Sequence, residues 1–280
     1  MSEILRAKPL PLKYPLTDAA NLSWIAAILM AAASLAGFFF PAVLYATPEL
    51  QQSSLTNDVV NLTVGLPVLV GSIWFARRGS LLGLLLWPGA LLYVIYNYLA
   101  YAFGNPFGWL TLFWLVLVLV STLAVINLVG SIDAEKVKQQ IAEKTPRRFS
   151  GVVMIVFGAF FIVRVVGIIA GAVTGGTPLP LSEIGLAVAD VTLSVLWIIG
   201  GVLLLRRQPL GYLCGLGLLF AASVLFIGLL VFFILQPFLS DVFFAWVDFL
   251  VVLLMSLVCF VPFGLYARAI RKSISNEVED

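Results

Sequence analysis

A chain of 280 residues that is 62% hydrophobic and 11% charged, with mean hydropathy +1.10, lies far outside the soluble range, where about a quarter of residues are charged. A net charge of +2 without a basic arm excludes nucleic acid as a partner. The chain has no His, which excludes bis-His haem, His-bound zinc or copper and Ser-His-Asp catalysis; no Gly-rich phosphate loop is present either, so no cofactor or metal is expected and an enzyme is the poorer expectation.

The first 21 residues mix Glu3 and Asp18 with Arg6, Lys8 and Lys13, and a span-length apolar run follows them, so they do not read as a cleavable signal peptide. Apolar runs then recur at 22–44, 59–76, 81–103, 109–129, 151–173, 184–205, 212–235 and 242–266. Each is long enough to cross ~30 Å of hydrocarbon. Only helices satisfy their own backbone in such runs, so the expected fold is an all-α integral membrane protein of eight transmembrane helices. The longest polar connection, 131–150, leaves no room for a soluble domain. Within it, Ile132, Val137 and Ile141 give one apolar edge to a short charged helix over 133–143, either a plain linker or a helix on the inner leaflet. Cys214 and Cys259 fall inside spans and read as small core residues, not a disulfide.

Fifteen of the sixteen Lys and Arg residues lie in segments that this threading puts on one face. They precede span one, join spans two and three as Arg77-Arg78, fill the connection between four and five, join six and seven as Arg206-Arg207, and follow span eight. The opposite loops carry none. Positive residues are retained inside, so the expected location is the cell (plasma or inner) membrane, with both termini cytoplasmic.

The chain reads as though written twice. Thr47-Pro48, Asp58 and Arg77-Arg78-Gly79-Ser80-Leu81 are echoed by Thr177-Pro178, Asp190 and Arg206-Arg207-Gln208-Pro209-Leu210, about 130 residues on. This predicts a 4+4 parallel internal repeat: a first four-helix unit over 1–130, a cytoplasmic linker over 131–149 and a second unit over 150–280.

Arg164 is the charge that topology does not explain. It sits near the middle of span five, where a lone Arg costs about 2.5–3.5 kcal/mol even on lenient scales and so needs a partner. The candidates are Asp190, about two turns into span six, and Asp248, expected at similar depth in span eight, with Asp190 preferred because spans five and six form a hairpin. Asp58 is expected at the mouth of span two, with Asn61 one turn further in. Tyr93, Asn97 and Tyr101 form a stripe at i, i+4, i+8, with Tyr96 beside it. Gly167, Gly171 and Gly175 follow Arg164 on one face and predict a close helix contact there. Tyr98 and Trp109 read as interfacial aromatics.

Together Arg164, Asp190, Asp248, Asp58, Asn61, Tyr93 and Asn97 outline a polar pocket in the outer half of the bundle. One reading is a small carrier or permease in which Arg164 binds a small anion or an anionic lipid headgroup. The other is a non-catalytic membrane protein, whether accessory subunit, sensor or lipid-binding scaffold, in which Arg164 is a structural ion-pair residue. The lipid bilayer is the expected partner in both, with other membrane proteins joining it in the second.

Overall fold

A computed structural model describes residues 10–240 and 242–279, with side chains as far as Lys272. Arg6 and Lys8 lie outside the described residues. Eight helices are long and apolar enough to cross a membrane, so the chain is a multi-pass membrane protein. They are α1 (Thr17–Phe39), the span Pro48–Arg77, α5 (Leu81–Gly104), α6 (Trp109–Ser131), α8 (Arg147–Gly175), α9 (Leu181–Leu205), α10 (Pro209–Leu239) and α11 (Trp246–Glu279). Two short helices, α2 (Pro41–Leu44) and α7 (Ala134–Ile141), complete the described chain, which contains no strand.

The second span begins eleven residues before the sequence reading placed it. Thr47 caps it by accepting from the Leu50 N–H, and Pro48 occupies its first position, where a missing N–H costs nothing. The polar run that follows is therefore the first three turns of a helix, not a loop. The span has three parts: α3 (Pro48–Val60), a π-helical turn (Asn61–Gly65) and α4 (Leu66–Arg77). Pro67 has no N–H to continue the α ladder, and the Leu66 N–H reaches back five residues to the Asn61 carbonyl. The span is thus interrupted midway along its length.

α5 is the centre of the bundle. It is buried along most of its length and packs against α4, α6, α9 and α10, while α8 and α11 lie at the rim with most side chains turned outward. The closest approach joins α5 to α10. A Cβ on Gly89 would fall 2.1 Å from the Gly217 carbonyl oxygen, so the two backbones touch where any side chain would hold them apart. Trp87, on the other side of α5 from Gly89, is wholly buried, and its indole N–H donates to Ser23 Oγ of α1 at 3.0 Å.

The segments between spans at one end of the bundle are tied together. Leu12 pairs with Ile132 in a single antiparallel bridge, the Lys13 N–H donates to the Ser131 carbonyl and the Asp133 N–H to that of Pro11, both at 2.8 Å. Asp133 then caps α7 by accepting from the Lys136 N–H, and that hydrogen bond holds its carboxyl below the ordinary value. The apolar edge of α7 does not lie on a leaflet. Val137 and Ile141 are fully buried, and α7 packs under the ends of α10 and α11. Lys144 Nζ also donates to the Lys272 carbonyl, so the connection between α6 and α8 is tied both to the segment before α1 and to α11 at the end that carries the Arg pairs.

Candidate functional site: two polar clusters

The first cluster surrounds Asp190. Its carboxyl is buried, and both oxygens are used: Arg164 Nη1 lies 2.9 Å from Oδ2, and the Tyr96 hydroxyl donates to Oδ1 at 2.8 Å. α5, α8 and α9 are thus joined at one carboxylate. The expected Arg164–Asp190 pair is present, and its cause is the α8–α9 hairpin, the most extensive helix contact in the molecule. Arg164 itself is not enclosed. Its side chain is 38% exposed on the outward face of α8. Gly167 and Gly171 have nothing within 4 Å of a built Cβ, and Gly175 meets only Thr177 of its own chain end, so the expected helix contact on that face is absent.

Asp248 does not belong to this cluster. α11 begins at Trp246, which places Asp248 in its first turn, exposed and without a hydrogen bond or ion pair among the described residues. Residues 242–245 are not helical, and the expected span began too early. At that position the carboxylate sits favourably at a helix N-terminus and needs no Arg.

The second cluster lies on a different face of α5, and Asp58 is its centre. Asp58 is not at a mouth: it lies in the last turn of α3 and is 1% exposed, because the span begins three turns before it and continues through the π-helical turn and α4 after it. The Tyr45 hydroxyl donates to Oδ2 at 2.5 Å, and the Tyr101 hydroxyl lies 3.1 Å from Oδ1 and 3.2 Å from the Ser54 carbonyl. Asn57 Nδ2 reaches both Tyr101 Oη and Asn97 Oδ1, and Asn97 Nδ2 donates to the Tyr93 carbonyl. The Tyr93 hydroxyl in turn donates to Asn61 Oδ1 at 3.1 Å. Ser34 of α1 and Tyr98 share a hydrogen bond at 3.3 Å at the edge of this group. Asn61 Nδ2 is buried without a partner, in the π-helical turn.

The expected stripe Tyr93, Asn97, Tyr101 is therefore one face of α5, and it faces α3 together with Asp58 and Asn61. Tyr96, about 100° around the helix, faces α9 instead. What reads as one pocket in sequence is two clusters on two faces of α5, and among the described residues no hydrogen bond joins them. Tyr98 is fully buried and is no interfacial aromatic, whereas Trp109 at the start of α6 is exposed. Tyr45, Ser34 and Asn57 were missed. Asn57 adjoins Asp58 in sequence, and Tyr45 is the one titratable side chain between α2 and α3, a signal that burial alone could rank.

The space beside Tyr96, between Leu92, Ala189 and Leu193, is about 10 Å³, the smallest volume that holds a single water. A cavity of about 570 Å³ lies elsewhere, at the end with the Arg pairs, lined by Tyr14, Asp18, Asn127 and Ser131. Comparison of the chain with protein families, with curated proteins and with solved structures finds no match.

Proposed function

We propose that the chain is a small membrane carrier whose working site is the Asp58 cluster, and that Arg164, Asp190 and Tyr96 form the structural joint of its two halves. One observation carries this reading. Asp58 is a buried carboxyl inside a span, and its partners are hydroxyls, with no Lys or Arg among them. An ionisable residue at such depth is costly and marks a site by default; a π-helical turn one residue group further along the same span is a second mark of function. The Arg164 contact differs, because a paired carboxylate with both oxygens filled requires no ligand.

The carrier reading includes the 4+4 duplication, with units over 1–130 and 150–280 joined by 131–149. Its support is a common register. Helix-ending Arg78 and Arg206, left-handed Gly79 and Arg207, Ser80 and Gln208 at the position just before the next helix, and the crossing glycines Gly89 and Gly217 are each 128 positions apart (78 to 206, 79 to 207, 80 to 208, 89 to 217). Within each half the four spans pack in the same cyclic order, and α5 and α10, third in their halves, cross at the centre. In this register Arg78 matches Arg206, and Asp190 falls against Leu62, one turn from Asp58. A duplicated bundle of this kind places its site where the halves meet and rocks one against the other.

The one-sided charge distribution supports an orientation with both termini in the cytoplasm, in a plasma or inner membrane. Single cysteines at Thr47 and Phe107 should then react with an impermeant maleimide in intact cells, and cysteines at Gly79 and Gln208 only after lysis. The reverse pattern overturns the orientation.

Reconstitution tests the function. Wild-type protein in liposomes should move at least one solute from a panel of labelled amino acids, carboxylates and amines, and Asp58→Asn should abolish the movement while Arg164 variants that fold retain it. A second reading, a non-transporting accessory subunit, sensor or lipid-binding scaffold, is favoured by the self-sufficient Arg164–Asp190 pair. In that case no solute moves, and a second membrane protein or an anionic lipid co-purifies in a way that depends on the exposed guanidinium.

A further inference from the structure

We propose that Asp58 is a reversible proton-binding site and that the carrier cycle is driven by H⁺. The proposal rests on the carrier reading for its role in transport, while the proton site stands on the geometry of the cluster itself.

The first argument is steric. A Cβ built on Gly37 of α1 falls 1.8 Å from Asp58 Oδ2 and 2.6 Å from Tyr45 Oη. The carboxyl therefore occupies the space that a side chain at residue 37 would take. A bare metal cation needs several oxygen ligands around a space of its own. Here two phenols and a glycine backbone fill the carboxyl's surroundings, and a proton is the ligand that needs no volume.

The second argument is an inventory of protons. The Tyr101 hydroxyl has one proton and two acceptors within reach, Asp58 Oδ1 at 3.1 Å and the Ser54 carbonyl at 3.2 Å. When Asp58 is ionised, Tyr45 donates to Oδ2 and Tyr101 to Oδ1. When Asp58 is protonated on Oδ1, that proton is donated to Tyr101 Oη, and Tyr101 turns its own proton to the Ser54 carbonyl. Every group stays satisfied in both states without movement of a heavy atom. A purely structural carboxyl has no need of the second arrangement.

The third argument concerns the electrostatic surroundings. The titratable groups facing Asp58 are Tyr45 from the segment after α2, and Tyr98 and Tyr101 from α5, with Tyr93 one step further along the network. α1 contributes Ser34 and Gly37, and α6 contributes Trp114, stacked on Tyr101. Among the described residues no Asp, Glu, Lys or Arg contributes, so gaining or losing one proton changes the net charge of the whole cluster. Asn61, with its unpartnered Nδ2, and the π-helical turn lie one turn away and link this change to the junction of α3 with α4.

Infrared difference spectroscopy on the reconstituted full chain tests the site. As pH is cycled between about 4 and about 10, a protonated-carboxyl C=O band should appear and vanish reversibly, persist in Asp190→Asn and be missing in Asp58→Asn. Tyr45→Phe removes a donor that favours the ionised form, so it should raise the midpoint by about one pH unit, a tenfold tighter proton affinity. This variant carries the test should Asp58→Asn not fold. A band that does not titrate, one that survives in Asp58→Asn, or a midpoint unmoved in Tyr45→Phe overturns the proton site. Solute flux indifferent to an imposed pH gradient overturns the coupling and leaves the carrier. A titrating band without flux of any solute overturns the carrier and leaves the site.

Discussion

Arg164 Nη1 and Asp190 Oδ2, on neighbouring helices α8 and α9, stand 2.9 Å apart at the seam between those helices, and the Tyr96 hydroxyl closes the other side of the same carboxylate. Removing the guanidinium leaves a buried carboxylate with a single donor. Arg164→Ala should therefore lower stability by about 3 kcal/mol, and the double variant with Asp190→Asn should recover part of that loss. Thermal melts of the four proteins in one detergent give the coupling. Additive losses would mean that the pair does not hold α8 to α9.

This pair was legible in the sequence because two quantities sufficed: depth along each span, and adjacency in a hairpin. The eight spans were legible for a similar reason, since apolar length alone defines them. Of the Asp58 cluster, Asp58, Asn61, Tyr93, Asn97 and Tyr101 were legible as polar residues of the spans, but the burial of Asp58 and its partners Tyr45 and Asn57 were not. The run from Glu49 to Asp58 is polar, and hydropathy reads it as a loop, yet Thr47 and Pro48 start a helix there and α1, α5 and α10 bury it. Helix faces were illegible too. In helices that are apolar all round, no polar stripe says which side is inside, so Tyr98 read as interfacial and the α8 glycines as a contact. Asp248 failed for a smaller reason, a helix start four residues later than the apolar run.

The glycines of α5 and α8 should respond in opposite ways. Gly89 meets the Gly217 backbone, which cannot swing aside as a flexible side chain would. Gly89→Ala should cost about 2 kcal/mol or more as α5 and α10 are forced apart. Gly167→Ala and Gly171→Ala, which face open space, should lie within about 0.5 kcal/mol of wild type. Chemical denaturation of the three variants separates the cases. A large loss at Gly171 would mean that something packs on that face.

The two Arg-bearing turns give a sign-reversing comparison. Gly79 has φ of +83° and Arg207 φ of +57°, at corresponding points of the two turns. A side chain in this conformation costs roughly 1–2 kcal/mol, offset by the roughly 0.5–1 kcal/mol that glycine loses to chain entropy. Gly79→Ala should destabilise by about 1 kcal/mol, while Arg207→Gly should be neutral or slightly stabilising. Equal losses in both would remove the equivalence of the turns, and with it one support for the duplication.

Gly37 offers the closest test of how tightly Asp58 is held. A methyl group there cannot coexist with the carboxyl in its present position, and the carboxyl cannot move without surrendering the hydroxyls of Tyr45 and Tyr101. Gly37→Ala should cost about 2 kcal/mol, more than the fraction of a kcal/mol that Ala returns through helix propensity. Asp58→Ala should also destabilise, because it strands two buried phenols. Combining them should be less harmful than the sum, since the space vacated by the carboxyl is the space the new methyl needs. A favourable coupling of about 1 kcal/mol or more, read from melts of the four variants, is the expected result. Independent losses would place the Gly37 strain elsewhere on α1 and would weaken the steric argument that leaves Asp58 room for a proton and nothing larger.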